Sequence, residues 1–559
     1  MKQANNKSAT GKEEIEIYKL NGTKLKDALT FSLNYFANYK EDIDSLNVFP
    51  VPDGDTGTNM YLTLSTATNE IKDLDIDSAG GLLAEFTNGA LMGARGNSGV
   101  ILSQLLRGFS ETIEDKEEIG VFEIAKGLEN AAKRAYKGVM KPVEGTILTV
   151  ARETGEFATL LAEDEDNIVE FLEIVVNKAT ESVNKTPELL STLKEANVVD
   201  AGGKGYEIFL RGIYESFISD EVIERSPNII RINREPCSKD SGRDLEYKYC
   251  TEFLINNTDI SRLDVQEEMK EYGDSLLVVK GNEFVKVHIH SNQPGLVLEE
   301  ALKLGSLTKI KIDNMEVESQ ERSKVTNIHE TEDNLIEKNL EDRIGLIAVA
   351  AGDGIIELFE DLGVDYIVEG GQSMNPSTKD LLAAAEEVKT NRIIILPNNK
   401  NVISAAKQVV EVTDKEVSIL PTKSIPQGVA AMMSFNPVGD FTEVNEMMED
   451  EIDTVKTGQV TYAVRDSSVN DLQITKGDIL GIIDGNIEVV NEDKEEVVGK
   501  LLDRLVIEDD FLVTIYTGKE VKSEEIEDLE ERLNKKFKDL DIEIYSGGQP
   551  LYYYLISVE

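Results

Sequence analysis

The chain has 559 residues and a formal net charge of −48, from 58 basic and 106 acidic residues. Such a surface repels nucleic acid and anionic lipid, so neither is an expected partner. The length predicts about three or four domains, and no apolar run approaches the roughly eighteen residues of a membrane span. Two cysteines argue against a disulfide framework, and the N-terminus lacks the apolar core of a signal peptide. Both features favour a cytoplasmic protein.

Apolar residues recur at helical spacing from residue 24 to residue 220, which predicts about eight helices. Residues 47–60 (NVFPVPDGDTGTNM) interrupt this pattern with prolines and glycines that favour a rigid, sharply bent loop. Its two carboxylates, Asp53 and Asp55, are two residues apart and can converge on one hard cation such as Mg²⁺. An ordinary surface turn is the alternative for this Asp-Gly-Asp segment.

Two further glycine-rich segments each open a helical pattern, residues 93–99 (GARGNSG) and 199–205 (VDAGGKG). Backbone amides at such helix starts favour phosphate, although the absence of GK[ST] excludes a P-loop. Three such starts with a carboxylate pair beside the first predict a magnesium–nucleotide site. Arg95, in the second segment, is predicted to neutralise phosphate charge, with a structural salt bridge of the loop as the alternative.

These three segments, together with GTILTV at residues 145–150, resemble the nucleotide-binding domain of dihydroxyacetone kinases. More closely, they resemble the catalytic A subunit of bacterial fatty acid kinase. The resemblance implies an all-α helical barrel, residues 1–225, that binds ATP or ADP with Mg²⁺ held by Asp53 and Asp55. Glycerone kinases carry a further aspartate where this chain has Asn47-Val48, so Asn47 or water is the expected substitute. The nucleotide contacts that the resemblance implies are Thr56, Gly57, Thr58, Asn59, Asn97, Ser98, Thr146, Ile147, Asp200, Ala201 and Gly202.

Residues 232–245 are predicted to form a linker, and the following segments YKYCTEFLI and FVKVHIHSN alternate like strands. We therefore expect a small α/β domain at residues 245–316. His288 and His290 share one face of their strand, and Cys250 on a neighbouring strand completes a set that suits Zn²⁺. A buried thiol and two ordinary strand histidines are the alternative. Any zinc there is expected to serve structure or partner docking.

Residues 317–343 are charged and poor in apolar residues, which predicts a second linker. In residues 344–397, the first part of a domain that we place at residues 344–559, strands and helices alternate, so we expect a parallel sheet with crossover helices. Segments such as EGGQSMNPS resemble DegV-type fatty-acid-binding proteins. The resemblance implies a DegV-like α/β domain for docking or dimerisation, so a homodimer is one expected assembly.

The first 287 residues contain no histidine to act as a general base. A fatty carboxylate, with a pKa near the value of about 4.3 for glutamate, is already ionised and needs none. With the resemblance, this favours a kinase that phosphorylates a fatty acid held on a separate DegV-type carrier, giving acyl phosphate. The alternatives are a kinase for dihydroxyacetone or another small hydroxy compound, and a nucleotide- or metal-sensing module without turnover.

Overall fold

The computed structural model divides into two compact units, residues 1–224 with 336–559 and residues 225–335. The residues that it describes are 15–48, 51, 54–139, 141–219, 248–256, 262–280, 285–314, 343–372, 374–469, 472–507, 510–538 and 540–559. The predicted linker at residues 232–245 lies outside the described residues. The linker predicted at residues 317–343 does too, except for Arg343.

The N-terminal part of the first unit is helical throughout its described residues. Its helices are α1 Gly22–Ala37, α2 Lys40–Asp44, α3 Thr56–Ile71, α4 Ala79–Met92, α5 Gly96–Thr112, α6 Val121–Gly138, α7 Ile147–Leu161, α8 Ile168–Leu189, α9 Ser191–Ala196 and α10 Ala201–Ile218. The prediction of about eight helices agrees with the long ones. It missed α2 and α9 because helices of five and six residues are too short to show apolar periodicity.

The eight long helices form a closed ring. Contacts run from α1 to α3, then in order through α4, α5, α6, α7 and α8 to α10, which returns to α1. Their inward faces share one core that includes the fully buried Phe36, Phe86 and Phe171. Each helix is stabilised by burying one apolar stripe there rather than by its own propensity. The predicted all-α helical barrel is confirmed, and no described helix is long and apolar enough to cross a bilayer.

The second unit is a small α/β domain, as the sequence predicted. Its elements are β1 Tyr249–Asn256, α11 Arg262–Met269, β2 Asp274–Lys280, β3 Val285–Ser291, α12 Pro294–Leu304 and β4 Ser306–Asn314. The strands pair antiparallel in the order β2-β3-β1-β4. Alternate residues, such as Phe253 on β1 and Val287 and Ile289 on β3, bury one face of the sheet.

The C-terminal part of the first unit begins with the predicted parallel sheet, ordered β6-β5-β7-β8. Its elements are β5 Ile344–Ala350, α13 Asp353–Asp361, β6 Tyr366–Glu369, α14 Thr378–Glu387, β7 Arg392–Leu396, α15 Ile403–Val412, β8 Glu416–Ile419, α16 Ile425–Met433 and α17 Phe441–Ile452. All seven residues of β5 are buried. A central parallel strand is covered by helices on both faces, so its sequence is apolar without alternation.

A second, mixed sheet completes the C-terminal part. Its strands are β9 Lys456–Tyr462, β12 Ile479–Ile483, β13 Asn486–Asn491, β14 Leu512–Thr517, β15 Asp541–Ser546 and β16 Tyr554–Val558, in the order β13-β12-β9-β16-β14-β15. Helices α18 Lys494–Leu505 and α19 Ser523–Lys536 share its core, and β10 Ser467–Val469 with β11 Leu472–Ile474 form a separate hairpin. Together these sheets give the α/β C-terminal domain that was predicted.

Candidate functional site

Four helices of the barrel begin at one cavity of about 1010 Å³. These are α3, α5, α7 and α10. Because a helix N-terminus carries partial positive charge and outward-facing backbone amides, four of them around one cavity suit an anion. The predicted nucleotide contacts that line this cavity are Thr56, Asn59, Asn97, Ser98, Thr146, Ile147, Asp200, Ala201 and Gly202.

Two predicted nucleotide contacts at the start of α3 have a different partner. The Asp44 carboxylate accepts hydrogen bonds from the backbone amides of Gly57 and Thr58, at 2.6 and 3.1 Å. It also accepts one from the Thr58 hydroxyl, at 2.7 Å. These donors are therefore used inside the barrel, and Gly57 and Thr58 do not line the cavity. Burial raises the pKa of Asp44 above its usual range, against these hydrogen bonds, which lower it.

The start of α5 packs directly against α3. Gly96 has a φ of +57°, and a Cβ at this position would clash with the side-chain nitrogen of Asn59. The Ser98 hydroxyl also lies 3.4 Å from the Thr56 carbonyl oxygen. A residue without a side chain is thus required where the two helix starts meet. This explains why a glycine-rich segment opens α5.

The starts of α7 and α10 are capped by side chains that border the cavity. The Thr146 hydroxyl accepts from the Leu148 amide at 3.4 Å, and the Asp200 carboxylate accepts from the Gly203 amide at 2.6 Å. Burial raises the pKa of Asp200 to about 6, although hydrogen bonds from the Gly203 and Ile147 amides oppose the shift. Asp200 thus borders the cavity as a carboxyl group whose pKa is raised by burial.

Asp55 lines the same cavity one residue before α3, whereas Asp53 lies outside the described residues. The Asn47 side chain accepts from the Thr56 hydroxyl at 2.7 Å and donates to the Asp44 carbonyl at 2.9 Å. It thus ties the loop to the start of α3. Mg²⁺ usually takes one or two carboxylates together with phosphate oxygens. Asp55 lies beside helix starts that suit phosphate, so the residues present fit this ion.

The C-terminal domain forms the other wall of the cavity. Residues 370–372, 397–401 and 423–425 line it, and they follow β6, β7 and β8. Open parallel sheets bind ligands outside the carboxyl ends of their strands, and this edge of the sheet faces the helix starts. Four lysines line the cavity, Lys141, Lys400, Lys407 and Lys423, together with four carboxylates, Asp55, Asp200, Glu411 and Asp484. Equal numbers of the two are notable in a chain with a net charge of −48, in which acidic residues outnumber basic ones.

Arg95 connects the two walls. Its guanidinium donates to the backbone carbonyl of Asn375 at 2.6 Å and forms an ion pair with Asp380 at 3.2 Å. The Asn375 side-chain amide in turn donates to the Asp55 carboxylate. The structure therefore places Arg95 at the domain interface, where its ion pair with Asp380 joins the barrel to the C-terminal domain. A phosphate-binding role for Arg95 stays a prediction.

Three residues around the site were not singled out from the sequence: Asp44 inside the barrel, and Asn375 and Arg465 at the domain interface. The Arg465 guanidinium donates to the carbonyl oxygen of Asn47 at 2.5 Å. Each of these side chains acts across a sequence separation of 13 residues or more. No local spacing rule reveals such pairs. The one signal near Asn375 was the resemblance of the EGGQSMNPS segment, residues 369–377, to DegV-type proteins.

The predicted zinc residues lie on two paired strands of the second unit. Cys250 on β1 stands directly opposite His290 on β3, and His288 is opposite Glu252. The side chains of the three predicted ligands are outside the described part of the chain. Among the described side chains, no cluster of His, Cys, Asp or Glu is arranged to hold a metal. The zinc site therefore stays a prediction.

Three family models match the chain in order. A DAK2 domain covers residues 50–215. A FakA-like middle domain, named for the A subunit of fatty acid kinase, covers residues 246–322, and the corresponding FakA-like C-terminal domain covers residues 345–559. The first match contains the starts of α3, α5, α7 and α10, and the last contains Asn375 and the rest of the second wall.

Similar proteins and structures were found as well. A DegV family protein from Corynebacterium glutamicum is 15% identical with a TM-score of 0.31, covering 39% of this chain and 97% of that chain. A dihydroxyacetone kinase from C. freundii, in complex with AMP-PNP and Mg²⁺, is 18% identical with a TM-score of 0.27, covering 39% and 38%.

Full-length similarity comes from sequence relatives. Protein YloV of Bacillus subtilis is 40% identical over 557 residues, which cover 98% of this chain and 100% of that protein. An uncharacterized protein of Staphylococcus haemolyticus is 39% identical over 554 residues, covering 97% and 100%. With three domain models matched in order, this chain belongs to the FakA-like family of fatty acid kinase proteins.

Proposed function

We propose that this chain is an ATP- and Mg²⁺-dependent kinase subunit. Its substrate is a fatty acid carried by a separate DegV-type binding protein, and its product is an acyl phosphate. The observation that carries the proposal is the convergence of four helix N-termini and the Asp55 carboxylate on one cavity. Membership of the FakA-like family supports the same assignment.

The cavity is large enough for a nucleotide and an acceptor group. Its volume of about 1010 Å³ lies at the upper end of the range of about 300–1,000 Å³ for small-molecule sites. The helix starts offer dipoles and amides for the phosphates, and Lys400 and Lys407 face them from the other wall. Positive charge on both sides favours a polyphosphate chain between the domains.

Asp55, together with Asp53, would hold Mg²⁺ against the nucleotide phosphates. When bound, the ion neutralises charge on the transferred phosphoryl group, which is the principal requirement of this chemistry. The first turn of α5, with Asn97 and Ser98, and the capped starts of α7 and α10 would hold the nucleotide in place. The protein thus contributes orientation and electrostatic stabilisation, with no covalent intermediate.

In the proposed reaction, an oxygen of the fatty carboxylate attacks the γ-phosphorus of ATP. A bond forms between that oxygen and phosphorus while the bond to the β–γ bridging oxygen breaks, and ADP leaves with the electron pair. No proton has to be removed, since a carboxylate with a pKa of about 4.3 is ionised at neutral pH. The three histidines, His288, His290 and His329, all belong to the second unit, so the unit with the cavity has none.

The test is ATP consumption by the purified chain with oleate, with and without a DegV-type carrier, compared with dihydroxyacetone. We expect ATP turnover with oleate to depend on the carrier and on Asp55. Dihydroxyacetone should give no turnover above the rate without acceptor. Robust phosphorylation of dihydroxyacetone by the chain alone would instead support the small hydroxy-compound kinase. ATP binding with no turnover on any acceptor would support the sensing module.

A further inference from the structure

The C-terminal domain contacts the loop at residues 47–55, which would carry the Mg²⁺ ligands, through the described residues at its two ends. At the first end, the Arg465 guanidinium donates to the Asn47 carbonyl at 2.5 Å. At the second end, the Asn375 amide donates to the Asp55 carboxylate. Between these ends, Val51 packs against the apolar cluster that includes Leu480. The described residues of this loop therefore contact a domain that is hundreds of residues away in the sequence.

Asn375 is fixed in place by a dense set of contacts with the start of α5. Its residue is 2% exposed, and its carbonyl accepts from Arg95, which also pairs with Asp380. Two residues further on, Ser377 forms a β-bridge with Arg95. The next amide, that of Thr378, donates to the Ala94 carbonyl at 3.1 Å. Asn375 is therefore held at the start of α5 by several polar contacts of its own and of its neighbours.

We propose that Asn375 is a positioning residue for the metal ligand Asp55. This inference rests on the proposed function, because it assigns a role toward the Mg²⁺ that Asp55 would hold. A hydrogen bond to one carboxylate oxygen fixes the plane of the group and hence the direction of the other oxygen. Partners of this kind orient metal ligands, and losing one lowers metal affinity or activity by about 10- to 100-fold.

The chemistry of the donor supports positioning over charge compensation. An asparagine amide is neutral, so it orients a carboxylate without replacing the cation that the carboxylate must attract. Arg95, a cation of the same interface, donates to the Asn375 carbonyl and pairs with Asp380. At the contact between Asn375 and Asp55, the C-terminal domain thus supplies a neutral donor. The magnesium site is accordingly built by two domains.

The test compares Asn375→Ala and Asn375→Leu in the full chain. Leucine keeps the side-chain volume while removing the donor, so it separates hydrogen bonding from packing. The measurement is binding of a fluorescent, non-hydrolysable ATP analogue as Mg²⁺ is titrated, with thermal melting to verify the fold. We expect both variants to need about tenfold more Mg²⁺ for half-maximal binding, with near-normal binding restored at high Mg²⁺.

Met374→Ala is the matched control, because Met374 neighbours Asn375 on the same loop and is 45% exposed. Its Mg²⁺ dependence should equal that of the unaltered chain. If Asn375→Ala fails to fold, Asn375→Leu alone decides the matter. A purely structural role for Asn375 would lower the melting temperature and weaken binding at every Mg²⁺ concentration, without recovery at high Mg²⁺, which would overturn the proposal.

Two other outcomes are decisive. An unchanged Mg²⁺ dependence in Asn375→Leu would overturn the positioning role, as would tighter binding, which would identify the contact as an inhibitory cover. Asp55→Ala, measured in parallel, separates this failure from that of the proposed function. If Asp55→Ala weakens Mg²⁺-dependent binding and the Asn375 variants do not, only the positioning role fails. If Asp55→Ala also leaves it unchanged, the magnesium assignment fails as well.

Discussion

The two walls of the cavity differ in how they are built. The helical wall consists of four helix starts, two of which, those of α7 and α10, are capped by a side chain within three residues of the amide that it binds, as Asp200 binds Gly203. The C-terminal wall consists of loops at the carboxyl ends of parallel strands, and its key contact joins Asn375 to Asp55 across 320 residues. In the proposed function, the helical wall supplies the anion-binding chemistry and the C-terminal wall sets the orientation of Asp55. Nucleotide affinity and metal geometry should therefore respond to different mutations.

The largest effect on ATP turnover is expected from substituting Asp55, which contacts Asn375 of the other wall. Asp55→Ala should reduce carrier-dependent ATP turnover about a thousandfold or more, because losing a ligand of a catalytic cation removes several kcal/mol of transition-state stabilisation. Steady-state kinetics measures the effect, and circular dichroism verifies the fold. Asp73→Ala, an exposed aspartate just beyond α3, is the control and should behave as the unaltered chain. Full activity in Asp55→Ala would contradict the metal assignment.

A change at the start of α5, where an added Cβ would also lie 3.4 Å from the side-chain nitrogen of Asn375, should weaken nucleotide binding. Gly96→Ala places a side chain at a φ of +57° and against Asn59, where strain and steric overlap should destabilise the fold by about 1–3 kcal/mol. Isothermal titration with ADP should also show reduced affinity, since α5 must shift away from α3. Denaturant unfolding measures the change in stability.

Gly363→Ala is the matched control for this change. Gly363 has a φ of +91°, but a Cβ at this position would meet no neighbouring atom within 4 Å. Backbone strain alone should then lower stability, by about 1–2 kcal/mol, and leave ADP affinity intact. Equal losses of ADP affinity in both variants would show that strain, rather than the position of Gly96 at the site, explains the result.

The pH dependence of stability should reveal the environment of Asp200. Its pKa of about 6 in the folded chain lies above the ordinary 3.8, because burial disfavours the charged form. Protonation therefore stabilises the fold fully below about pH 4, and this stabilisation is lost as the pH rises through about 6. Asp200→Asn caps a helix comparably and cannot ionise. As the pH rises from about 4 to 7, the unfolding free energy of Asp200→Asn should increase relative to that of the unaltered chain, by at most about 3 kcal/mol.

Chemical denaturation of both proteins across this range measures the difference. A gap between Asp200→Asn and the unaltered chain that stays constant with pH would show that Asp200 ionises normally. The prediction that Asp200 loses its proton only near pH 6 in the folded chain would then be wrong. Asp166→Asn, the same substitution at an exposed aspartate before α8 that does not line the cavity, is the control.

The smallest expected effect on nucleotide binding concerns the second unit. If Cys250, His288 and His290 bind zinc, the purified chain should contain about one Zn²⁺, and substituting any of the three should release it. Stability of this unit or coupling to the carrier should fall, while ADP affinity should stay near normal. Elemental analysis of protein purified without chelators measures the metal, and its absence would contradict the zinc prediction.

How far each wall could be predicted from the sequence depends on the sequence separation of the residues in contact. Helix starts have local sequence signatures, so the sequence predicted the segments around Asp55, Asn97 and Asp200, and apolar spacing predicted the helices. The barrel and the contact at Thr146 were predicted from the family resemblance. The partners that shape these segments were not predictable, because the Asp44 and Asn375 contacts depend on the packed fold. Strand alternation likewise predicted the second unit and the parallel sheet, but the contact between that sheet and the barrel has no sequence signature.

The most direct test of the central claim is detection of the product itself. The chain, a DegV-type carrier loaded with oleate and MgATP can be incubated with hydroxylamine, which traps an acyl phosphate as a hydroxamate. Mass spectrometry should then detect oleoyl hydroxamate in proportion to the ADP formed, and none when the carrier is omitted or Asp55→Ala is used. Formation of ADP without hydroxamate, or equal hydroxamate with Asp55→Ala, would contradict the account.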